Sequence, residues 1–269
     1  MEQLILNKEL AVINVEGSDA STYLQGQLTN DIKELDTKKF QLSAHLNNKG
    51  RILANFIITK VNENQYYLIT DKNNAEKILP RIKMFVLRSK VTINILDINI
   101  SLENLVDQKL VQLELFTNQY LTIGKQTIEE NTNINAWHRI LVENSLPFIY
   151  PESAEKIIPQ QINFEIIGGV NFKKGCYTGQ EIVARTHYLG KVKRRLVKFI
   201  TDGQPQIGNQ VFSPTLDNQE VGFVIDYYKE DNKFIGLVSL QLDYINDTYL
   251  DIEQKHKLEC ALTHEIPLK

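Results

Sequence analysis

A change of pattern near Lys191 constrains the fold of this chain strongly. Before this residue, segments with helical spacing of apolar residues alternate with segments that suit strands. After it, short runs of β-forming residues are separated by turns rich in glycine and proline, as at Asp202, Gly203 and 206–209. The sequence therefore predicts an α+β region followed by a small β-barrel.

Within the α+β region, apolar spacing and turn residues predict the individual elements. A helix over 20–28 begins after a cap at Ser18 or Asp19, and a second helix begins at Asp71 with a kink or restart at Pro80. The other predicted elements are strands at 10–15, 41–46, 51–61, 66–70 and 90–96 and helices at 136–142 and 180–186.

Composition sets the broad class of protein. The 269 residues are 42% hydrophobic, which is enough for a large buried core, and no stretch approaches the roughly 20 apolar residues of a membrane span. The start of the chain does not resemble a signal peptide, and the two cysteines lie in unrelated contexts. We therefore expect a cytoplasmic protein without a disulfide framework or a two-cysteine zinc site.

The charge balance argues against nucleic acid as the main partner. The net charge is −3 and the sequence pI is near 6.0, so the molecule lacks a positive long-range field. One stretch is locally basic and contains Lys173, Lys174, Arg185, Lys191, Lys193, Arg194, Arg195 and Lys198. Two interpretations stay open for it: a basic surface beside a functional site, or a solvated strand edge whose cations discourage edge pairing.

The residues that carry chemistry are concentrated in 168–185, which we call the cysteine segment. Gly175 and Gly179 flank Cys176 and allow a ligand or another chain to approach closely. Cys176 precedes the predicted helix at 180–186, so the helix dipole, together with Lys174 and Arg185, favours its thiolate form, which can attack, ligate a metal or be oxidised. The alternative is a small cysteine buried in a glycine-rich turn.

The cysteine segment also carries a resemblance to a known family. Residues 174–181 read Lys-Gly-Cys-Tyr-Thr-Gly-Gln-Glu, are followed by Ala184 and Arg185, and closely resemble the signature of the YgfZ family. Further motifs similar to that family lie at 17–20, 23–31, 49–51, 87–91 and 158–160. The resemblance implies an α+β, three-domain ring like the glycine-cleavage T-protein, with a folate site near its central hole.

The same resemblance implies a division into domains. Residues 1–50 together with 130–190 form a discontinuous folate-binding domain, 51–129 form an α+β ferredoxin-like domain, and 191–269 form the C-terminal β-barrel.

The function implied by the resemblance is a tetrahydrofolate-binding accessory protein that supports assembly or repair of iron–sulfur enzymes. These partners include the methylthio-transferases that modify tRNA, so any effect on tRNA is expected to be indirect. We expect neither strong direct binding of nucleic acid nor binding to a membrane. Cys176 is the implied functional thiol, with Lys174 beside it. The implied folate-binding residues are Trp137, Tyr177, Gln180, Glu181 and Arg185.

A tetrahydrofolate-dependent aminomethyltransferase is the alternative. In that enzyme an Asp-Asp pair follows the glycine-rich turn, whereas Ala54 and Asn55 stand at the corresponding place here. Neither side chain can act as the general base that such a transfer requires. The sequence therefore favours a protein that is not an aminomethyltransferase.

Trp137, the only tryptophan, has two open interpretations. Its flat ring suits stacking on a pterin or p-aminobenzoyl group, and it also suits a core anchor on an amphipathic helix. The sequence departs from the family pattern at two positions. A second family tryptophan falls near Leu10, and Leu189 occupies a place where the family often has a basic residue.

Overall fold

The structure, a computed structural model, describes residues 3–104, 111–124 and 133–265. Its strands are β1 (Leu4–Ile5), β2 (Leu10–Glu16), β3 (Gln41–Leu46), β4 (Ile52–Asn62), β5 (Gln65–Asp71), β6 (Thr92–Leu96), β7 (Asn99–Glu103), β8 (Val111–Phe116), β9 (Gln119–Gly124), β10 (Arg194–Thr201), β11 (Gln210–Ser213), β12 (Gln219–Glu230), β13 (Lys233–Gln241), β14 (Thr248–Tyr249) and β15 (Lys257–Leu262). Its α-helices are α1 (Ala20–Gln27), α2 (Lys72–Met84), α3 (Ile134–Glu143) and α4 (Gln180–Leu189).

A five-stranded antiparallel sheet in the order β3-β4-β5-β2-β6 organises the first hundred residues. Strand β2 is buried along residues 10–15. Because successive side chains of a strand point to opposite sides, both faces of β2 are therefore covered. Ile13 and Val15 pack in the cluster that includes α1 and α2, while Val12 packs toward the second sheet. The sheet is thus the middle layer of this part of the molecule.

A second sheet, in the order β1-β7-β9-β8, packs with α3 on the other face of the first sheet. Helix α2 begins with Asp71 as its N-cap, whose carboxylate accepts a hydrogen bond from the Asn74 backbone N–H at 2.8 Å. The helix then continues through Pro80 to Met84 without the restart that the sequence predicts. The predicted helix and strand positions in this region are otherwise confirmed to within a few residues.

The C-terminal β-barrel is confirmed, and it is closed in the order β10-β13-β12-β11-β14-β15. A register shift between Val224 and Asp226 in β12 interrupts the pairing with β13, and Asp226 is fully buried at this place. The irregularity therefore places a carboxylate inside the molecule.

The structure bears on the expected domain boundaries in two places. The boundary expected between residues 50 and 51 falls inside the hairpin of β3 and β4, whose backbones pair from Gln41 with Ile58 to Leu46 with Ile52. The five-stranded sheet therefore does not divide there, because its ladder hydrogen bonds cross the proposed boundary. The boundary expected at 129 and 130 lies outside the described residues.

Candidate functional site

The cysteine segment lies against the motif at 23–31, which is distant in sequence. Thr29 donates from its hydroxyl to the Gly169 carbonyl at 2.7 Å and accepts from the Asn171 backbone N–H at 3.0 Å through its own carbonyl. Asn30 donates from Nδ2 to the Gly168 carbonyl at 2.7 Å. Side-chain and backbone groups of the motif at 23–31 thus satisfy backbone groups of the cysteine segment.

The Lys174 side chain also joins the cysteine segment to the motif at 23–31. Its buried ammonium donates to the carbonyls of Gln25, Leu28 and Asn30 at 2.8, 2.6 and 2.9 Å. These carbonyls lie at and just beyond the C-terminal end of α1, where helix carbonyls lack partners and attract cations. Burial lowers the pKa of Lys174 to about 8. The three N–H groups of Lys174 are thus used by carbonyls at the end of α1 and just beyond it.

Gly179 allows the cysteine segment to meet the turn between β3 and β4. Its backbone has φ +80°, and a Cβ there would lie 2.5 Å from the Asn47 carbonyl oxygen. Gly50 in that turn has φ +70° and would contact Ile182. The close approach predicted for Gly179 is thus present, whereas a Cβ on Gly175 would meet no heavy atom of the described residues within 4 Å.

Cys176 itself is exposed, so the interpretation of a buried turn cysteine is wrong. It lies three residues before Gly179, the N-cap of α4. Cys260, in contrast, is half-buried on β15, and burial raises the pKa of its thiol to about 12. The two thiols therefore differ sharply in their access to partners.

Four of the residues expected to bind folate belong to the cysteine segment. Tyr177 is buried with the Lys174 ammonium 5.1 Å from its ring centre, and Gln180 Nε2 lies 3.5 Å from the Lys174 carbonyl. Glu181 and Arg185 are exposed on α4.

Trp137 lies in the wall of a cavity of about 390 Å³, which we call the Trp137 cavity. Its lining comes from the start of β2, the end of β5, α3 and its following loop, and the barrel: Lys8, Glu9, Leu10, Asp71, Asn73, Ile134, Trp137, His138, Phe148, Tyr150, Glu152, Gln206, Ile207 and Tyr227. The lining therefore includes Trp137 and none of the other four residues expected to bind folate.

Trp137 is a core anchor, and it also borders the cavity. Only 2% of it is exposed, and its ring packs edge-on against Phe148 with the centroids 5.9 Å apart. It also lines the cavity, together with Leu10, which stands near the place of the second family tryptophan.

An ion pair holds one side of this cavity. His138 Nδ1 lies 2.6 Å from Asp226 Oδ1, and the Tyr150 hydroxyl donates to Asp226 Oδ2 at 2.9 Å. Burial alone would lower the pKa of His138, but the charge and hydrogen bond of Asp226 outweigh it and raise the pKa above its usual value. No local sequence pattern connects His138, Tyr150 and Asp226, because they belong to a helix, a loop and a barrel strand.

Asp71 is a second cavity residue that the sequence analysis did not single out. Burial raises the pKa of its carboxyl to about 6, while hydrogen bonding to the Asn74 backbone opposes the shift. The sequence showed only a helix cap at this position. A cap whose carboxyl also has a shifted pKa beside a cavity is typical of a functional residue.

Asn55, at the place of the aminomethyltransferase acidic pair, is buried and fully engaged. Its Nδ2 donates to the Pro147 carbonyl at 2.8 Å, and its Oδ1 accepts from the Ile149 backbone N–H at 2.8 Å. The side chain thus ties β4 to the loop after α3.

The described residues contain neither a metal-binding cluster nor a membrane-spanning helix. No group of three or more histidine, cysteine, aspartate or glutamate side chains within them is arranged to hold a metal ion. Likewise, none of their helices has the length and apolar character needed to cross a membrane.

Comparison with known proteins defines the class of this chain. Residues 5–108 match the family model described as the GCVT N-terminal domain. The fold is similar to that in the crystal structure of glycine cleavage system aminomethyltransferase T from Bartonella henselae, with a TM-score of 0.75 and 14% identity over 95% of this chain and 83% of that chain. The protein therefore has the fold of the glycine-cleavage T-protein.

Sequence relatives identify the family more narrowly. The chain is 30% identical to an uncharacterized protein of Haemophilus influenzae over 96% of this chain and 94% of that protein. It is 28% identical to the tRNA-modifying protein YgfZ of Aliivibrio fischeri over 94% of this chain and 90% of the relative. Identity to the protein of that name in Escherichia coli is 27%, over 88% and 85% of the two chains. The chain belongs to the YgfZ family.

Proposed function

We propose that this protein binds tetrahydrofolate or a close derivative in the Trp137 cavity. We further propose that it supports assembly or repair of iron–sulfur enzymes through Cys176, including enzymes that thiomethylate tRNA. The names of the relatives, tRNA-modifying protein YgfZ, support the connection to tRNA modification.

One observation carries the folate proposal. Oε2 of Glu9, in the lining of the Trp137 cavity, is buried and has no hydrogen-bond partner among the described residues. A buried acceptor without a donor is costly, so a ligand with N–H groups is expected to satisfy it. The amino-lactam edge of a pterin offers such donors, and its flat ring suits the neighbouring Trp137.

The remaining lining also fits a reduced folate. The cavity volume of about 390 Å³ falls in the range of small-molecule sites. Phe148 and Tyr150 add aromatic surface, while the raised pKa of His138 favours its cationic form.

The role of Cys176 in this proposal rests on its exposure. A thiol that acts on an iron–sulfur protein must be reached by another macromolecule, and Cys176 lies on the surface in a segment that Lys174 and Gly179 hold in place. The partner that we propose is therefore a protein client.

The alternative function is aminomethyl transfer to tetrahydrofolate. Asn55 cannot supply the base, since it is an amide whose two polar atoms are both engaged. Asp71, a carboxyl with its pKa raised to about 6, lies in the cavity and could take that part. Turnover by the wild-type protein that is lost in Asp71→Asn would favour the transferase over the accessory factor.

A folate titration tests the main proposal. Because Trp137 is the only tryptophan, its fluorescence reports the cavity directly. We expect tetrahydrofolate and 5-formyltetrahydrofolate to change the emission saturably and to raise the thermal midpoint. If neither quantity changes up to about 1 mM folate, the proposal fails.

Two matched variants locate the bound folate. Glu9→Gln removes the unpartnered carboxylate of the cavity, whereas Glu181→Gln makes the same change on exposed α4. We expect the first to weaken folate binding at least tenfold and the second to leave it unchanged. The reverse result would move the ligand to the cysteine segment.

A further inference from the structure

A second concave site lies away from the Trp137 cavity, between the edge strands of the two sheets. It has a volume of about 360 Å³, and we call it the edge groove. Strand β3 is the edge of the five-stranded sheet and β8 is the edge of the four-stranded sheet. The turn after α3 and the turn at Ile167 and Gly168 close the groove.

Gln41, the first residue of β3, lines this groove and has an unsatisfied amide. The residue is 5% exposed, and both Nε2 and Oε1 are buried without a hydrogen-bond partner among the described residues. Native proteins pair nearly all such groups, so an amide with both atoms unpaired calls for a donor and an acceptor from outside.

Neighbouring polar groups in the groove already have partners. Asn30 donates from Nδ2 to the Leu42 and Gly168 carbonyls at 2.9 and 2.7 Å, and its Oδ1 accepts from the Asp31 backbone N–H. Asn144 donates to the Ile140 carbonyl at 2.8 Å. The unmet hydrogen-bonding capacity is therefore centred on Gln41.

The rest of the lining indicates a flat and neutral ligand. Phe40 and Phe116 are half-buried aromatic walls, and Leu42, Leu115 and Ile167 are half-buried aliphatic ones. The cation in the lining, Lys38, is exposed and paired with Glu34 at 2.6 Å. The buried part of the groove thus offers aromatic surface and one amide.

We propose that the edge groove binds a lactam-bearing heterocycle, of nucleoside or pterin size, and that the Gln41 side chain turns into the groove to pair with it through two hydrogen bonds. A lactam has an N–H beside a C=O, so it donates to Oε1 and accepts from Nε2 at the same time. Such side-chain amide pairing with a base edge is an established mode of recognition. This site is separate from the proposed folate cavity and is built by different residues.

Calorimetric titration tests the proposal with uridine, guanosine and pterin as separate probes. We expect saturable binding of at least one of them below about 1 mM. When the bound probe is a nucleoside, its lactam is blocked in the N-methyl analogue, such as 3-methyluridine for uridine, and we expect at least tenfold weaker binding. Absence of binding by all three probes, or equal binding of the blocked analogue, overturns the proposal.

The variant Gln41→Leu separates a ligand site from a structural role. It removes both unpartnered atoms with little change of volume, so we expect lost probe binding and a thermal midpoint that is unchanged or higher. A midpoint lowered by several degrees, or unchanged probe binding, contradicts the assignment. Trp137→Phe should retain the groove binding and serves to separate this site from the folate cavity, where a pterin probe could also bind.

Discussion

The two cysteines show how surroundings decide the use of one side chain. Cys176 is exposed in the loop before α4, while Cys260 is half-buried on a barrel strand with a thiol pKa raised to about 12 by burial. The thiolate is the reactive form, so burial makes Cys260 less reactive than an ordinary cysteine at neutral pH. Cys176 is accessible to alkylating reagents and to protein partners.

We predict that Cys176 is essential for function and Cys260 is dispensable. At pH 7.5 the Cys260→Ala protein, which retains Cys176, should react with iodoacetamide at least tenfold faster than the Cys176→Ala protein. Cys176→Ala should fold, since Cys176 is exposed and surface substitutions usually change stability by less than about 0.5 kcal/mol.

Rescue of a bacterial strain that lacks its own YgfZ provides the functional readout. Cys260→Ala should rescue it and Cys176→Ala should not. Full rescue by Cys176→Ala, or equal alkylation rates for the two proteins, would contradict the prediction.

The C-terminal end of helix α1 shows what individual elements need from the rest of the chain. Its carbonyls are capped by Lys174, and His45 Nδ1 on β3 lies 3.0 Å from the Gln27 carbonyl oxygen. His45 is fully buried, and burial, together with the charge of Arg81, lowers its pKa to about 4 despite the backbone hydrogen bond. Its neutral form donates that bond.

We predict a pH-dependent stability that belongs to His45. Its pKa is about 4 in the folded protein and about 6.5 in the unfolded chain, so between these values the unfolded chain binds more protons. The contribution is full above about pH 6.5 and is lost as the pH falls toward 4, with a total on the order of 3 kcal/mol. Urea unfolding of wild type and His45→Gln across this window measures it.

Wild type and His45→Gln must be compared because titration of Asp71 changes the free energy of unfolding in the opposite direction. Its pKa is raised to about 6, so the folded state gains protons there, and stability, as the pH falls from about 6 to 4. His256→Gln, at a partly exposed histidine paired with Asp202, is the matched control. If His45→Gln retains the full wild-type slope, His45 is not its source.

Among the elements, those with strong local signals were predicted well. The apolar stripe of α2 and the alternation along β2 follow directly from helical and strand periods. The restart predicted at Pro80 is absent because α2 remains one helix through it, with Ala75, Ile78 and Ile82 buried in the core on either side. Tertiary packing of that apolar face offsets the local cost of the proline.

The charge of the whole molecule bears on its relation to tRNA. Three of the eight cations in the locally basic stretch are paired in the fold, since Arg194, Arg195 and Lys198 pair with Glu220, Glu165 and Glu143 at 2.6, 2.5 and 2.7 Å. Phe199 is buried in the barrel and cannot stack on a base. Strand β10 pairs with β13 and with β15 in the closed barrel, so the interpretation of a solvated strand edge is wrong there. The three ion pairs reduce the charge that a basic surface could offer.

We predict that direct binding of tRNA is weak. Fluorescence anisotropy with bulk tRNA at about 0.15 M salt should give a Kd no tighter than the ~10⁻⁴–10⁻⁶ M of non-specific binding. Submicromolar binding that is lost in Lys191→Gln/Lys193→Gln, but not in the control Lys33→Gln/Lys39→Gln, would make this an RNA-binding protein. All four lysines are exposed, so neither pair disturbs the core.

The amino-acid sequence alone was sufficient for the family, the α+β class, the barrel and most elements, because these depend on contiguous motifs and on local periods. It could not place Glu9, Asp71 and Trp137 around one cavity or bring Lys174 to carbonyls that are 149, 146 and 144 residues away. It also could not show that Gln41 lacks a partner. Such contacts depend on strand register and on the packing of distant layers, which no local pattern encodes.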